Sequence, residues 1–430
     1  MKPDRVGSLR HQSQNSGQIS LMLIILTLAN VINYMDRFAL SVLAVPIRNE
    51  LGFSDTQIGI LTGFAFALLY ALCGIPLARI ADRGSRRMLL TVCLGLWSVM
   101  TMLCGAVSGY WQMLIARMGV GVGEAGGVPA SHSLLGDCYP PSQRAFAIGI
   151  FQSGTGLGLL LGIMLSGLLA HSMGWRWTFV LLGLPGLVLA LVIMRYLREP
   201  ARGGSEPETT TVPGIAPPFP RVLRTLLTRR SYKQLIFGYT LGLFGAYGIL
   251  QWTPAFLSRS HGLSLDQIGL WYGMAAGLGL FSGMVLGAVT ARMLVQRDRR
   301  WEVWIPGCAY VLCVPVYFTA FLTDSASLSI ALLSVGTLIA SSGIGPGLAS
   351  VQTLAEPRIR ATAIALGMFV TSIIGQGGGP FVIGVLSDAW EPSFQADSLR
   401  FALIASLSVM VWSALHFYLA SRSLLRDAVN

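Results

Sequence analysis

Twelve long apolar runs dominate the sequence and constrain its fold more than any other feature. A helix needs about 20 apolar residues to cross the hydrocarbon core of a bilayer. Hydrophobic residues fill 53% of the 430 positions and charged residues only 11%, far from the balance of a soluble domain. We predict an all-α polytopic membrane protein with twelve transmembrane helices, called spans 1 to 12: 18–46, 56–80, 88–108, 111–137, 143–170, 176–197, 233–257, 267–293, 303–322, 326–353, 360–388 and 398–421.

A polar segment separates the first six runs from the last six. Its centre, at positions 203–220, is rich in Gly, Pro, Ser and acidic residues, a composition that predicts a flexible connection. The chain therefore divides into an N-terminal six-helix lobe (1–197), a cytoplasmic linker (198–232) and a C-terminal six-helix lobe (233–430).

The two halves repeat in sequence. The segment Leu51–Ile60 (LGFSDTQIGI) matches His261–Leu270 (HGLSLDQIGL), and each precedes the second helix of its half. Parallel repeats of this kind are typical of two-lobed transporters whose binding site lies between the lobes.

The basic residues predict the orientation of the chain. Of its 30 Lys and Arg, 24 belong to segments that alternate on one side of the membrane and four to loops on the other. By the positive-inside rule both termini are cytoplasmic, and we expect the protein in the bacterial inner (plasma) membrane. Because this distribution explains the net charge of +11, no nucleic-acid partner is predicted.

Span 1 carries charged residues at membrane depth. It contains Asn33, Tyr34, Asp36 and Arg37, and helical spacing predicts that the amide, the carboxylate and the guanidinium share one face. Charged side chains there are costly and usually mark a functional site. The alternative is an internal ion pair that only joins helices.

Span 4 carries a second charged pair, Arg117 and Glu124. Seven residues are two helical turns, so both side chains lie on the same face, and the intervening glycines leave room for a neighbouring helix or a substrate. The string Gly-x-Gly-x-x-Gly occurs here, but no strand precedes it, which excludes a nucleotide-binding fold.

The loop after span 2 contains Asp82, Arg83, Arg86 and Arg87 within the sequence ARIADRGSRR. This resembles the loop signature of the major facilitator superfamily, although Ala78 and Ser85 replace its glycines. Positive-inside charge alone would explain the arginines but not Asp82. Together with Asp137 and Arg144, these residues are predicted to form a cytoplasmic gate that latches the lobes in the outward-facing state.

Three motifs together resemble the spinster-like branch of that superfamily: NYMDR in span 1, GVGEAG in span 4 and SDTQIG before span 2. The resemblance implies the major facilitator fold, and the branch is associated with export of lysolipids and sphingosine phosphates. It also implies proton-coupling roles for Asp36 and Glu124, and roles as basic partners or headgroup ligands for Arg37 and Arg117. Substrate identity does not follow from the resemblance, because bacterial relatives are diverse.

The spans of the second half contain no Asp, Glu, Lys or Arg well inside the membrane. The substrate-binding residues predicted there are polar or aromatic, and the alternative for each is packing or helix–helix hydrogen bonding: Tyr247, Gln251, Trp252, Thr371 and Gln376.

The predicted function is proton-coupled secondary active transport of an amphiphilic anion, such as a lysolipid or sphingosine phosphate, by alternating access. The alternative is proton-coupled symport of small organic anions. A membrane enzyme is disfavoured because no Ser-His-Asp, metal-ligand or Cys-His constellation occurs, and a receptor because no sizeable soluble domain is present. We expect a monomer without cofactor or metal, whose partners are a small-molecule or lipid substrate, protons and membrane lipids.

Overall fold

The structure, a computed structural model, describes residues 16–200, 202, 219–354 and 360–427. Within these ranges the chain forms helices and turns but no strands. The first half contains α1 (Ser16–Leu51), α2 (Asp55–Thr62), α3 (Phe64–Arg83), α4 (Arg86–Cys104), α5 (Tyr110–Glu124), α6 (Gly127–Cys138) and α7 (Pro141–Tyr196). The second half contains α8 (Phe219–Thr228), α9 (Arg230–His261), α10 (Leu265–Gln267), α11 (Gly273–Leu294), α12 (Trp301–Leu322), α13 (Ala326–Ser341), α14 (Ile344–Thr353), α15 (Arg360–Val370), α16 (Gly378–Phe394) and α17 (Ser398–Asp427).

All twelve predicted spans are helical in the described residues, although span 3 ends at Cys104, four residues before its predicted end. Spans 1, 3, 7, 9 and 12 are single helices, spans 2, 4 and 10 each consist of two helices, and spans 5 and 6 together form α7. Spans 8 and 11 contain π-helical turns at Ile268–Tyr272 and Thr371–Gly377. Among these residues nine stretches are long and apolar enough to cross a bilayer, and two of the nine, 142–196 and 362–424, contain two spans each. Span 4 is not among the nine, because it consists of two shorter helices.

Span 4 differs from the continuous helix predicted for 111–137. It is divided at Ala125 and Gly126 into helices of 15 and 12 residues, and glycines in a helix interior weaken it. Glycines in this span also allow close packing. A Cβ at Gly121 would lie 2.7 Å from the Phe66 carbonyl oxygen, and a Cβ at Gly123 would lie 2.7 Å from the Trp97 backbone nitrogen. They therefore accommodate neighbouring helices, and the break places Glu124 at the end of α5.

The sequence repeat is confirmed as a repeated helix start. Ser54 and Gln57 form a capping box at α2, and Ser264 and Gln267 form the same arrangement at α10. In each box the serine hydroxyl accepts from the backbone of the glutamine while the glutamine side chain accepts from the serine backbone. The two halves therefore begin their second spans in the same way.

Span 5 packs closely against span 1 through glycines. A Cβ at Gly158 would lie 2.5 Å from the Val31 carbonyl oxygen, and a Cβ at Gly162 would lie 2.8 Å from the Met35 Cα. Small residues let membrane helices approach to backbone contact. This packing fixes α1, which carries the charged pentapeptide, against the rest of its half.

The predicted linker contains a helix that the sequence analysis did not anticipate. In α8, Val222 and Leu226 are buried and lie four residues apart, whereas Arg224 is exposed, so one apolar face stabilises the helix against the bundle. Positions 203–218 of the linker, and the basic N-terminal tail, lie outside the described residues. The domain limits at 197 and 233 remain predictions.

The closest approaches between the two halves lie toward one end of the bundle. We call this end the distal face; it contains the turn 52–54, opposite the end that holds Ser16 and Asp427. A Cβ at Gly59 of span 2 would lie 2.5 Å from the Pro380 carbonyl oxygen of span 11, and one at Gly269 of span 8 would lie 2.8 Å from the Met164 carbonyl oxygen of span 5. The lobes are thus joined at the distal face.

Candidate functional site

Four buried charges from spans 1 and 4 lie in the interior of the first lobe. The exposed fractions of Asp36, Arg117 and Glu124 are 0%, and that of Arg37 is 4%. Two carboxylates and two guanidinium groups balance when all are ionised. Gaining one proton would leave the cluster with an uncompensated positive charge, which is costly away from water.

The shortest contact in this cluster is the ion pair between Arg37 and Glu124. The Arg37 Nη2 donates to the Glu124 Oε2 at 2.6 Å and to the Asn33 Oδ1 at 3.3 Å. The guanidinium carbon also lies 4.4 Å from the ring centroid of Phe66 and 4.8 Å from that of Tyr34. Aromatic faces attract a cation without neutralising it, so Arg37 keeps its capacity to bind an anion.

Asp36 faces a different helix from Arg37. Its Oδ2 accepts a hydrogen bond from the Thr101 hydroxyl of α4 at 3.2 Å, while Oδ1 has no hydrogen-bond partner in the described part of the chain. Asn33 and Arg37 therefore share one face of α1 as predicted, but Asp36 does not lie on that face. Adjacent residues on a helix diverge by about 100°, which separates the acid from the base.

Arg117 makes no direct salt bridge among the described residues. Its Nε lies 3.5 Å from the Leu61 carbonyl oxygen, and both terminal nitrogens lack hydrogen-bond partners in those residues. It interacts favourably with both Asp36 and Glu124 through their charges. A buried guanidinium with unused donors can change partner when either carboxylate changes its protonation state.

The predicted residues of the second lobe fall into two groups. Tyr247 faces the first lobe, with its ring centroid 5.9 Å from that of Phe38, and Gln251 is buried one turn further along α9. By contrast, the Trp252 indole donates to the Pro380 carbonyl oxygen at 2.8 Å and is 1% exposed. This geometry favours helix packing for Trp252 and a position near the charges for Tyr247.

Thr371 lies at the edge of a small apolar pocket in the second lobe, whereas Gln376 is half-buried in the same π-helical segment. The Thr371 hydroxyl donates to the Met368 carbonyl oxygen at 3.1 Å. The pocket is lined by side chains that include Ile236, Tyr239, Val351, Ile364, Met368 and Thr371. Such a surface is suited to a hydrocarbon group.

Sequence reasoning missed three side chains of the site: Phe66, Tyr70 and Thr101. Phe66 and Tyr70 are one turn apart on α3, their rings stack at 5.3 Å, and the Arg37 guanidinium lies 5.3 Å from the Tyr70 ring. Their spacing of four residues in span 2 was a detectable signal. Nothing in the sequence connects Thr101 with Asp36, because that contact depends on how α4 packs.

The predicted gate residues lie at the end opposite the distal face and make their described contacts within the first lobe. Arg86, 1% exposed, forms an ion pair with Asp137 and donates through Nε to the Glu199 Oε1 at 2.8 Å. Arg144 donates to the Tyr139 carbonyl oxygen at 3.0 Å. These contacts connect spans 3, 4 and 6 of one lobe.

The other gate residues occupy the same surface. Arg87 donates to the Leu197 carbonyl oxygen at 3.2 Å, and Asp82 and Arg83 are exposed. A latch between lobes was predicted for the outward-facing state. Because the lobes meet here at the distal face, that latch stays a prediction.

Glu199 completes this network, although the sequence analysis assigned it to the flexible linker. Its carboxylate accepts from the Ser85 hydroxyl at 2.8 Å and from the backbone nitrogens of Arg86 and Arg87 at 3.1 and 2.9 Å. Burial by itself would raise its pKa, but the hydrogen bonds from Arg86, Ser85 and this backbone hold the pKa of Glu199 below its usual value. The carboxylate thus caps α4 from the end of span 6.

A family model described as Major Facilitator Superfamily matches residues 26–380. The chain belongs to this superfamily. An MFS-type efflux pump of Mycolicibacterium smegmatis is 34% identical over 94% of this chain and 93% of its own length. A sphingosine-1-phosphate transporter of Danio rerio is 24% identical over 94% of this chain and 84% of its own length.

A solved structure supports the same family assignment. A bacterial homolog of the human lysosomal transporter Spinster, crystallised in an inward-facing and unoccupied conformation, superposes with a TM-score of 0.89 at 30% identity, covering 97% of this chain and 99% of that one. The protein is a spinster-like transporter of the major facilitator superfamily, with the all-helical fold of that superfamily. The predicted family and fold are confirmed.

Proposed function

We propose that the protein is a proton-coupled secondary active transporter that moves an amphiphilic anion by alternating access. The observation that carries the proposal is the buried ion pair between Arg37 and Glu124, in which the arginine that can hold an anion is already bound by a group that can take up a proton. In this scheme, protonation of Glu124 and binding of the substrate anion by Arg37 occur together.

The coupling follows from the low dielectric around the pair. When Glu124 accepts a proton its attraction for Arg37 falls, and a buried guanidinium without a partner is costly. A substrate phosphate or carboxylate can then replace the lost charge. Arg117 and Asp36 form the second half of the relay, since the unused donors of Arg117 can follow whichever carboxylate remains ionised.

The apolar pocket at Thr371 supports an amphiphilic substrate. Its aliphatic and aromatic lining provides a surface for a single hydrocarbon chain, while both arginines lie in the other lobe. A substrate that contacts both lobes can connect its own binding to the movement of one lobe against the other. The similarity to a sphingosine-1-phosphate transporter agrees with a headgroup of this chemistry.

Symport of a small organic anion is the second candidate. It is favoured by one observation: both arginines lie deep in the first lobe, where a short carboxylate could bind without contacting the second lobe. Under this alternative the pocket at Thr371 would have no part in binding.

A flux assay in liposomes tests the proposal. Purified protein is reconstituted, and uptake of single-chain lysophospholipids and of short carboxylates is measured with and without a pH gradient. We expect the gradient to drive accumulation of the lysophospholipids. Gradient-driven accumulation of short carboxylates alone would establish the second candidate, and lysophospholipid flux that is insensitive to the gradient would contradict proton coupling.

We further propose that both termini are cytoplasmic and that the protein is a monomer of the bacterial inner membrane, with lobes at 1–197 and 233–430 joined by the linker 198–232. The distribution of basic residues supports this orientation. In this orientation the distal face lies outside the cell, and the structure corresponds to a state closed to the outside.

A further inference from the structure

Span 7 carries three buried polar side chains that lack a hydrogen-bond partner in the described residues. They are Thr240, Tyr247 and Gln251, with exposed fractions of 3%, 7% and 2%. The atoms without a partner in this part of the chain are the Thr240 Oγ1, the Tyr247 Oη and both amide atoms of Gln251. Burying an unpaired polar group costs free energy, so such groups in a folded protein require a partner from elsewhere, such as water or a ligand.

These three side chains lie on one face of α9. Tyr247 follows Thr240 by seven residues, or two helical turns, and Gln251 follows one turn later. At about 1.5 Å per residue, the face extends about 16 Å along the helix axis. We call the three side chains the polar track. Because they are aligned, one extended ligand can contact all of them.

The internal repeat indicates that the polar track faces the charges of span 1. α1 and α9 each end at the first residue of the repeated segments. Counted back from these ends by the same number of residues, Tyr247 occupies the position in span 7 that Arg37 occupies in span 1. The contacts agree, since the Tyr247 ring centroid lies 5.9 Å from that of Phe38, and the Tyr247 hydroxyl interacts electrostatically with Arg37 and Glu124. The track therefore adjoins the arginine proposed to bind the anion.

Tyr247 and Gln251 do not satisfy each other. The two side chains are close enough to interact, but neither reaches hydrogen-bond geometry with any group in the described ranges. A ligand atom placed between them can bond to both without displacing an existing pair.

The chemistry of the polar track matches hydroxyl groups. An amide donates through its nitrogen and accepts through its oxygen, and the hydroxyls of Thr and Tyr do both. A phosphate only accepts, so it would leave the Gln251 oxygen unpaired, whereas an ammonium only donates and would leave the Gln251 nitrogen unpaired. A hydroxyl can pair with either atom of the amide, and several hydroxyls can pair with the whole track.

We propose that the polar track binds the hydroxyl groups of a polyol phosphate ester, such as a phosphoglycerol headgroup, while Arg37 binds the phosphate. This deepens the proposed function and rests on it for the place of the anion at Arg37. The substrate class is then an anion whose headgroup carries hydroxyls, rather than the ammonium group of choline or ethanolamine.

Binding of two matched compounds tests the proposal. Octanoyl lysophosphatidylglycerol and octanoyl lysophosphatidylpropanol have the same charge and chain, but the propanol headgroup has no hydroxyl. Isothermal titration calorimetry on the purified full-length protein, without a pH gradient, gives both affinities. We expect the glycerol compound to bind at least about tenfold more tightly, since a site built to pair with hydroxyls rejects an analogue that lacks them. Equal affinities would mean that water is the partner of the track, and would overturn the proposal.

Substitutions in the track should remove this preference. Gln251→Leu should weaken binding of the glycerol compound and leave the affinity of the propanol compound unchanged. Tyr247→Phe deletes one hydroxyl but keeps the ring, so it should reduce the preference by a smaller factor, and it gives an independent measurement if Gln251→Leu does not fold. A purely structural role would weaken both compounds equally, and an unchanged affinity ratio in these variants contradicts the proposal.

Gln234→Leu is the matched control. Gln234 lies on the same helix, but its amide oxygen is hydrogen-bonded to the His416 ring, and it is not part of the track. We expect this variant to keep the wild-type affinity ratio. Loss of the preference here as well would show that the measurement reports a general disturbance of α9, and would overturn the assignment.

The same comparison between glycerol phosphate and propyl phosphate, which have no acyl chain, separates this proposal from the proposed function. A preference for glycerol phosphate, without binding of the octanoyl compounds, would support hydroxyl recognition and contradict an amphiphilic substrate. Binding of the octanoyl compounds without any preference would contradict hydroxyl recognition alone.

Discussion

At the scale of single residues, the pairing of charges decides what the first lobe can do. Arg37 and Asp36 are neighbours in sequence, but the guanidinium binds Glu124 and the carboxylate binds Thr101. The alternative of a purely structural ion pair would require a fully satisfied cluster. In the described residues, Asp36 Oδ1, Glu124 Oε1 and both terminal nitrogens of Arg117 lack hydrogen-bond partners, which is unusual for a pair that serves only packing.

The first prediction concerns the two acids. We expect Glu124→Gln to abolish pH-driven accumulation while exchange of substrate down its own gradient persists, because the amide preserves size but cannot titrate. Accumulation of substrate should fall at least about tenfold, a factor equivalent to a free-energy difference of about 1.4 kcal/mol. Asp36→Asn should also reduce accumulation, since it removes the second titrating group.

Asp397→Asn is the control for these variants, because Asp397 pairs with Arg400 on the surface at 3.3 Å with 46% of its side chain exposed. It should behave as wild type. If the flux of Glu124→Gln still responds fully to a pH gradient, Glu124 is not the proton carrier; the same result for Asp36→Asn would remove Asp36 from that role.

At the scale of elements, helix ends and breaks position the functional groups. The division of span 4 places Glu124 at the end of α5, and the carboxylate of Glu199 caps α4 beside the predicted gate. The division of span 4 follows from its glycine content. The cap formed by Glu199, in contrast, depends on the chain returning to α4 after span 6. A carboxylate at a helix start is stabilising only while it is ionised.

The second prediction follows from the lowered pKa of Glu199. A group whose pKa is lower in the folded protein adds stability at pH values above its unfolded pKa, and this contribution is lost as the pH falls through the folded pKa. We expect Glu199→Gln to lower the thermal unfolding temperature at pH 7, and the difference from wild type to shrink below about pH 4.3, the ordinary pKa of glutamate.

Purified protein in detergent, followed by thermal unfolding between neutral and acidic pH, provides this measurement. Glu391→Gln is a suitable comparison, because Glu391 is half-exposed and its partner Arg48 is also partly exposed. A destabilisation in Glu199→Gln that is the same at every pH would show that the charge of Glu199 has no role in the cap.

At the scale of the whole molecule, the two lobes divide the chemistry between them. The first lobe holds the buried charges and the second holds the apolar pocket at Thr371. A substrate that uses both must have a charged head and a hydrocarbon chain. An amphiphile would contact both lobes, whereas a small organic anion would need the first lobe alone, so the two candidate substrates can be distinguished by whether the second lobe takes part in binding.

The third prediction is therefore a dependence of affinity on chain length. Each buried methylene contributes about 0.8 kcal/mol, so affinity should rise about fourfold per carbon over several carbons in a series with one anionic headgroup. Arg37→Ala and Arg117→Ala should weaken all members by a similar factor. Binding of the series to purified protein by isothermal titration calorimetry measures both effects.

A pocket-filling variant makes this test specific. Met368 lines the pocket and is 51% exposed, so Met368→Trp should flatten the dependence on chain length. Met293, in α11 and 61% exposed, offers Met293→Trp as the control, which should preserve the slope. A wild-type protein that binds short carboxylates tightly, with no slope, would favour the organic-anion alternative.

The sequence by itself determined the twelve spans, the two-fold repeat and the location of the buried charges. These follow from local properties, since the length of an apolar run predicts a membrane helix, and the repeated segments before the second span of each half begin it with the same capping box, at Ser54 and Ser264. Helical spacing likewise placed Arg117 and Glu124 on one buried face.

Only the tertiary structure decided which charges pair. Arg37 and Glu124 are 87 residues apart, and Asp55 and Arg259 are 204 apart, so each contact depends on how separate helices pack and not on any local pattern. Asp55 lies in the repeated segment 51–60, where its local sequence does not distinguish it, because an acid at a helix start is common. Its burial between the lobes, which comes from the packing of spans 2, 7 and 11, distinguishes it from other acids at helix ends.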